Sequence, residues 1–567
     1  MLRRCGVCRR TAFLTDVEGD LSYFIRYAEQ SKVLSWINGR LEFRDETSHF
    51  VYGGDAFDHG DDIAFAKTLL DFRDAYPSRV HLILGNRDIN KMTFGAPMAK
   101  VFGTSQLSPE AAQRLVFPLT LTNASGGKEW YSYAGYLEAN NLPLVVTKVT
   151  FIQWTLAYKM GAPNTFEHRR RELQSMRRGE EDVTDVEVAQ SFLDAACPGG
   201  VYYEYLKQGK IAEVLDGVLF VHGSIVDQNF GILPDKEVFV DGAPLKRCNV
   251  SMKDATAEEW LGALNGFKDE EFRQWASGGD GMLLRQYAFP VSIVPHSVVV
   301  HALVETDGPH YLGLDAVEFL NSSGISIVCG GHKPSGDTPS IVQQPGLLRL
   351  AADNSYCAGD GTRGESVVEV LLEEDGALCI HGRRVDGTSY GFLATEAPLG
   401  RHLGDGWWVK AKVGEDSFEV QRTRDAYRTR DAQALTAEEV EARLRQWREP
   451  PVGGNVPERW SKQRLDQKPR VVKVKRTGGG LGKSGTVPPQ KKLFESSCFD
   501  RLLFYFLFLL LPFTTHEAWI NSAIVSEIVS CLLIASRVIE KRDASLCRAR
   551  SSLHPLGSCC VQCVPQF

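Results

Sequence analysis

The sequence predicts an α/β fold that gathers polar side chains at one edge of its sheet, and two observations carry that prediction. Short apolar runs alternate with helical stretches: Thr11–Leu14 and a helical run from Leu21 to about Leu34, Phe50–Tyr52 and a helix from Asp61 to Ala75 closed by Pro77, then Val80–Leu84. Strands joined by such crossovers lie parallel, with their ends on one side. Each apolar run also ends in donors: Asp16 and Glu18, Gly53-Gly54-Asp55 followed by Asp58-His59, and Gly85-Asn86-Arg87-Asp88. Later, Val218–Val221 delivers His222-Gly223, and Ser326–Cys329 delivers Gly330-Gly331-His332-Lys333. Open α/β sheets take ligands outside the carboxyl ends of their strands.

The 567 residues are 43% hydrophobic and 24% charged with net charge −7, a composition that suits one large domain or two to three smaller ones. The mild negative charge gives no argument for a nucleic-acid partner. No long apolar core follows Met1-Leu2-Arg3-Arg4, so no secretory signal is read there. Most of the 13 cysteines outside the tail stand singly, which suits a reducing, cytoplasmic setting. Cys5 and Cys8 lack a second Cys or His pair nearby and are not read as a zinc site.

Residues 11–395 are read as the main domain. From about 110 to 215 it is interrupted by a helical insertion, in which Thr184 and Glu187 form a capping box ahead of a face made by Val186, Ala189, Leu193 and Ala196. The Arg169–Arg171 run is expected on a solvated helix face, where it could also attract an anionic substrate. Ser366–Glu373 and Ala377–Val385, joined near Asp375-Gly376, are expected to finish a second sheet. Residues 400–450 form a small appendage, with a Trp407–Val413/Ser417–Gln421 hairpin and a helix from Thr436 to Trp447 capped by Thr436 with Glu439.

Residues 451–492 read as a basic flexible linker: from Arg459 to Lys492, 11 Lys or Arg face a single acid, Asp466. Its Thr477–Ser484 run imitates a phosphate loop but lacks the first glycine and the strand-to-helix context. Residues 493–567 are a hydrophobic, Cys-containing tail. Leu502–Phe513 is short for a span of about 20 residues, whereas Ala518–Ile539 is long enough but holds Glu527 and Arg537. Two readings stand for 502–539: a tail anchor or membrane-surface helix, or a segment unrelated to the catalytic fold.

Collected, the strand-end donors are Asp16, Glu18, Asp55, Asp58, Asn86, His222 and His332. Oxygen and nitrogen donors without thiolates suit Mn, Mg, Fe or Zn. Four carboxylates on one rim repel in a low-dielectric crevice, and divalent cations hold them together. Two cations about 3.5–4 Å apart can acidify a bridging water and clamp a phosphoryl group for in-line attack.

The ordered set resembles the calcineurin-like metallophosphoesterase family, whose pattern runs Asp-x-His, Gly-Asp-x-x-Asp, Gly-Asn-His-Glu/Asp, a lone His-Gly and a final Gly-His. Here the matching segments are Asp16-Val17-Glu18, Gly54–Asp58, Gly85–Asp88, His222-Gly223 and Gly331-His332. The resemblance covers roughly residues 11–395 and is closest to the serine/threonine phosphoprotein phosphatase branch. It implies a four-layer α/β/β/α sandwich and a metal-dependent phosphomonoesterase acting on a phosphorylated small molecule or phosphoprotein. It further implies two divalent metal ions and a bridging hydroxide. Asp55 would bridge both ions; Asp16 and Glu18 would complete one site, and Asn86, His222 and His332 the other.

Glu18 replaces a family histidine, which makes its site more anionic and favours Mn or Mg over Zn. Pro334 stands where some members have a second histidine, a residue that the phosphoprotein phosphatase branch also lacks. Arg87 replaces another family histidine. That branch reads Asp-Arg-Gly and Asn-His-Glu, whereas this chain reads Asp58-His59-Gly60 and Asn86-Arg87-Asp88.

An exchange of roles is therefore expected: Arg87 forks onto phosphate oxygens and His59, oriented by a carboxylate, acts as general acid. The alternative makes His59 a surface turn residue and pairs Arg87 with Asp88. The catalytic candidates are thus Asp58, His59, Arg87 and Asp88, with Arg87 and Lys333 as phosphate contacts. Asp20 would either support the first metal or cap a helix. His81 reads as a core residue. A phosphodiesterase or nucleotide pyrophosphatase, and a non-catalytic phosphate-binding module, are the other functions open to such a chain.

Overall fold

A computed structural model describes residues 9–95, 98, 132–177, 182–238, 246–291, 293–305, 308–334, 336–354, 364–424 and 429–446. All fall within one compact unit, Met1–Gln467. Cys5 and Cys8, the basic linker with its phosphate-loop imitation and the hydrophobic tail lie outside the described residues.

Two sheets form the centre. The first runs Ser389–Leu393, Leu378–Arg383, Val367–Leu372, Thr11–Leu14, His49–Tyr52, Val80–Leu82. Its last three strands are parallel, with Phe13 opposite Val51 and Val51 opposite His81. The second runs Ser340–Gln344, Leu347–Ala351, Ile327–Gly330, Val218–Val221, Ala212–Leu215, with Leu219 opposite Val328 in parallel register.

Strand side chains alternate between faces, and this alternation builds the layers. Phe13, Val51, Ile83, Phe220, Cys329, Leu350 and Val370 share one core between the sheets, where the Phe13 and Phe220 ring centroids lie 5.3 Å apart. On the outer face of the first sheet, Ala12, Leu14, Phe50 and Tyr52 pack with Tyr23, Phe24 and Tyr27 of the Leu21–Gln30 helix and with Phe65 and Leu69 of the Asp62–Ala75 helix. Leu219, Val221 and Val328 do the same on the second sheet, with Trp260 and Leu264 of the Ala257–Ala276 helix and Leu320 of the Leu314–Ser322 helix. The result is a four-layer α/β/β/α sandwich.

Three features differ from the sequence reading. The Val367–Leu372/Leu378–Arg383 pair extends the first sheet rather than finishing the second, because Val367–Leu372 covers the edge that Thr11–Leu14 would otherwise leave unpaired. Ala212–Leu215, in the stretch read as helical, is a strand turned back onto Val218–Val221 by Asp216-Gly217, both left-handed at φ 49° and 76°. The first helix stops at Gln30, and Leu34–Ile37 pairs with Arg40–Phe43 through Asn38-Gly39 at φ 51° and 78°. Left-handed pairs of this kind match the twist of a two-residue hairpin.

Within the insertion, the described α-helices are Tyr133–Ala139, Lys148–Trp154, Thr165–Met176, Asp185–Ala195 and Val201–Gln208, with a π-helical turn at Thr155–Lys159. The Thr184–Glu187 capping box is present, but the buried stripe runs Val188, Ala189, Phe192, Ala195, and Val186 is 67% exposed. The large ring of Phe192 sets the helix rotation. After residue 400, four antiparallel strands (His402–Gly404, Trp407–Gly414, Ser417–Arg424, Thr429–Thr436) precede the Ala437–Gln446 helix, whose Thr436 and Glu439 cap each other. Val409, Phe418, Val420 and Val440 join the inter-sheet apolar cluster. No helix of the described residues is long and apolar enough to cross a membrane.

Candidate active site

The donors named from sequence converge where the carboxyl ends of the parallel strands of both sheets meet. Asp16 and Glu18 follow Thr11–Leu14, Asp55 follows His49–Tyr52, and Asn86 opens the short Asn86–Asn90 helix after Val80–Leu82. His222 directly follows Val218–Val221 and His332 follows Ile327–Gly330.

Asp16, Glu18, Asp55, Asp58 and His332 have φ of 56°, 55°, 54°, 108° and 75°, so five of the nine left-handed non-glycine residues in the described chain stand here. Each such conformation costs about 1–3 kcal/mol and persists only where its surroundings fix it. Here Asp16 N–H donates to Gly54 O at 3.0 Å, Glu18 N–H to Asp55 O at 2.9 Å and His59 N–H to Glu18 O at 2.8 Å. Tyr52 Oη accepts from Val17 N at 3.1 Å and donates to Asp55 O at 3.0 Å. A Cβ on Gly54 would sit 2.5 Å from Gly85 N and 2.9 Å from His222 Nδ1, so only glycine lets these turns meet.

One half of the site is lined by histidines. His222 Nδ1–H donates to Gly53 O at 2.9 Å, which fixes the tautomer and turns Nε2 toward Asp55 Oδ1 at 3.4 Å and Asn86 Oδ1 at 3.3 Å. A backbone carbonyl holding the far nitrogen is the usual way a ligating imidazole is aimed. The His332 ring stands 5.3 Å from that of His222, centroid to centroid, and its backbone N–H donates to Asp16 Oδ1 and Oδ2 at 3.2 and 3.1 Å.

Ligand atoms of Asp55, His222 and His332 all lie within 4.8 Å of one another. His332 Nδ1 is buried with no hydrogen-bond partner, which costs about 1–3 kcal/mol if nothing binds it. A carboxylate, an amide oxygen and two imidazoles with one nitrogen unsatisfied fit a divalent cation of the Mn, Fe or Zn kind.

The ionisation states follow from this crowding. Burial opposes charging His222, but the Asp55 and Asp16 carboxylates outweigh it and raise its pKa to about 10. Burial, then the neighbouring charges of Lys333 and His222, hold His332 well below its ordinary value. Asp55 stays below the usual carboxylate range despite burial, through His222 and Arg87, while burial and then the charge of Asp353 push Asp16 well above it.

The other half is organised around Arg87. Its Nε lies 2.8 Å from Glu18 Oε1 and 3.5 Å from Asp55 Oδ2, its Nη1 lies 3.3 Å from Asp58 Oδ2, and its backbone N–H donates to Asp55 Oδ1 at 2.8 Å. The guanidinium is therefore held by three carboxylates, and none of them is Asp88. Asp88 is fully buried and accepts from the backbone N–H groups of Gly85, Ala56 and Asp55 at 2.7, 2.8 and 2.9 Å, so it staples two turns together rather than facing the opening. Burial, with the charge of Asp55, raises its pKa to about 7.

Asp58 is likewise fully buried, between Arg87 and Lys91 Nζ. His59 has the expected carboxylate neighbour, with Nε2 3.8 Å from Glu18 Oε2 and a side chain 23% exposed. Burial, against the pull of Glu18, lowers its pKa to about 4. Lys333 is half-buried beside His332. Asp20 caps the Leu21–Gln30 helix by accepting from Tyr23 N at 2.9 Å. His81 is partly exposed, bridging His49 and Glu213.

Sequence reasoning missed several groups. Lys91 is fully buried and shares a helix face with Arg87 four residues earlier; that i, i+4 spacing was the available signal. Asp353 is buried just past the Leu347–Ala351 strand, another apolar run ending in an acid. The third group comes from the insertion. Arg169, expected in solvent, is buried with Nη2 2.7 Å from Tyr202 Oη and 3.4 Å from Asp62 Oδ2, and Nε 3.1 Å from Glu172 Oε2.

Glu172 Oε1 accepts from Ile63 N and Ala64 N at 2.7 and 2.9 Å, capping the Asp62–Ala75 helix that Asp61 leaves without a side-chain cap. Thr165 Oγ1 donates to Asp58 O at 2.7 Å, and Asp62 Oδ1 accepts from Asp58 N at 2.9 Å. The insertion thus clamps the Asp58 turn.

No family model and no curated protein matches this chain. Among solved structures it is similar to a cold-active protein-tyrosine phosphatase of the psychrophile Shewanella sp., at 14% identity over 68% of this chain and 80% of that one, with a TM-score of 0.34. It is also similar to a protein serine/threonine phosphatase from Saccharomyces cerevisiae with similarity to human phosphatase PP5, at 12% identity over 69% and 81%, with a TM-score of 0.28. At these values the likeness adds nothing to the chemistry of the site, which stands on its own geometry.

Proposed function

We propose that this chain is a metal-dependent phosphoric-ester hydrolase, acting on a phosphomonoester of a small molecule or a phosphoprotein, with manganese as the favoured ion. The observation that carries the reading is the convergence of Asp55, Asn86, His222 and His332 from both sheets, with His332 Nδ1 buried and unsatisfied. A divalent cation held there supplies Lewis acidity toward a phosphoryl oxygen and lowers the pKa of water.

The chain's own groups do the rest. Gly53 O fixes the His222 tautomer. Asp88 locks the turns that carry Asp55 and Asn86. Arg87 places a permanent positive charge against Asp55, where charge building on a transferring phosphoryl group is stabilised. His59 stands at the rim beside Glu18 as the proton-transferring group, and Lys333 beside His332 offers a phosphate contact. Turnover of an aryl phosphate monoester and diester, by protein stripped with chelator and resupplied with Mn, Mg, Fe or Zn, tests this. The expected result is Mn-dependent monoester hydrolysis that His222→Ala abolishes. No turnover with any ion would overturn the hydrolase reading, and a diester preference would overturn the substrate class.

A further inference from the structure

We infer that Arg87 takes the place of a second metal ion, so that the centre holds one divalent cation beside a built-in guanidinium instead of two cations. This rests on the proposed metal dependence and sharpens it. The resemblance to the two-metal family assigns one position to Asp16, Glu18 and Asp55, and the structure engages all three otherwise. Glu18 Oε1 is 2.8 Å from Arg87 Nε. Asp55 divides its oxygens: Oδ1 faces His222 at 3.4 Å, while Oδ2, the oxygen left for a second ion, faces Arg87 Nε at 3.5 Å. Asp16 Oδ2 accepts from Thr15 Oγ1 at 2.6 Å, and both Asp16 oxygens accept from His332 N.

The guanidinium is held in place from several sides. Asp58 Oδ2 receives Nη1 at 3.3 Å and is itself fixed by buried Lys91. The backbone N–H of Arg87 is anchored on Asp55 Oδ1 at 2.8 Å. A cation bound by Glu18 and Asp55 Oδ2 would share their oxygens with this fixed positive charge, and like charges at contact in a buried site repel strongly. The opposite half is differently furnished: His222, His332, Asn86 and Asp55 Oδ1 meet there, and His332 Nδ1 is buried without a hydrogen-bond partner. Arg87 also cannot lose its charge at any working pH, so the substitution is permanent rather than pH-dependent.

The test counts manganese per chain by elemental analysis and equilibrium binding, with the Mn(II) electron paramagnetic resonance spectrum as a second readout independent of turnover. Wild type is expected to hold one tightly bound ion with the spectrum of an isolated Mn(II). Arg87→His is expected to hold two, with the spectrum of a spin-coupled pair. Arg87→Lys, which keeps the charge, and Glu18→Gln, which removes a carboxylate but no ligand of the remaining ion, are expected to stay at one. The Glu18→Gln and wild-type counts decide the matter even if Arg87→His fails to fold.

Two coupled ions in wild type, a count that falls in Glu18→Gln, or a folded Arg87→His that stays at one would overturn the inference while leaving metal dependence intact. No tightly bound ion in any of these proteins would instead overturn the reading on which the inference rests.

Discussion

The two halves of the site are built alike and furnished differently. Both receive side chains from turns past parallel strands, both are buried, and both share Asp55. On the histidine side, a backbone carbonyl aims His222 and a ring nitrogen of His332 is left unsatisfied. On the other side, Glu18, Asp55 and Asp58 close on Arg87, and Lys91 adds a second cation. Strand-end geometry gathers donors, but the local charge balance decides whether they await a ligand or are already satisfied.

The largest expected effect falls on the histidine side. His222→Ala removes a proposed ligand and should weaken Mn binding by more than about 100-fold, since losing even an outer partner costs about 10–100-fold; titration calorimetry checks it. On the guanidinium side the effect should be on stability. Lys91→Met leaves buried Asp58 with Arg87 as its remaining cationic partner, and removing one partner of a buried pair costs about 3–5 kcal/mol, measurable by urea unfolding. Wild-type stability after Lys91→Met would show that the charge balance of this half is not structural.

A pH test reaches the clamp behind that half. Burial, against the charge of Arg169, raises the Glu172 pKa from its usual 4.5 to about 7. A raised acid binds its proton more firmly when folded, so this group's contribution to stability is fully present below about pH 4.5 and is lost as pH rises toward 7. Glu172→Gln should therefore flatten the decline in unfolding free energy across that window; an unchanged slope contradicts the assignment. The smallest effect is expected for Thr165→Ala, which deletes the hydrogen bond to Asp58 O and should cost about 1 kcal/mol, read as a small shift in the urea midpoint.

Much of this was legible because strand ends repeat one pattern: a short apolar run that delivers a polar donor. That pattern led to Asp16, Glu18, Asp55, Asn86, His222 and His332, and it could also have led to Asp353. The Asn38-Gly39 and Asp216-Gly217 turns carry their own hairpin signal, but the helical readings beside them, to about Leu34 and to 215, run over the start of the Leu34–Ile37 strand and over Ala212–Leu215. The partners of Arg87 and Arg169 could not be read. A long cationic side chain goes to whichever carboxylates the fold collects around it, and here those come from other strands and helices. An arginine run looks solvated in sequence until Asp62 and Glu172 arrive to bury its first member.

The most direct measurement is anomalous diffraction at the manganese edge from crystals equilibrated with Mn(II). A strong peak in contact with Asp55, Asn86, His222 and His332 is the expected result. A map with no peak among those four side chains, or with its strongest peak elsewhere, would contradict the account.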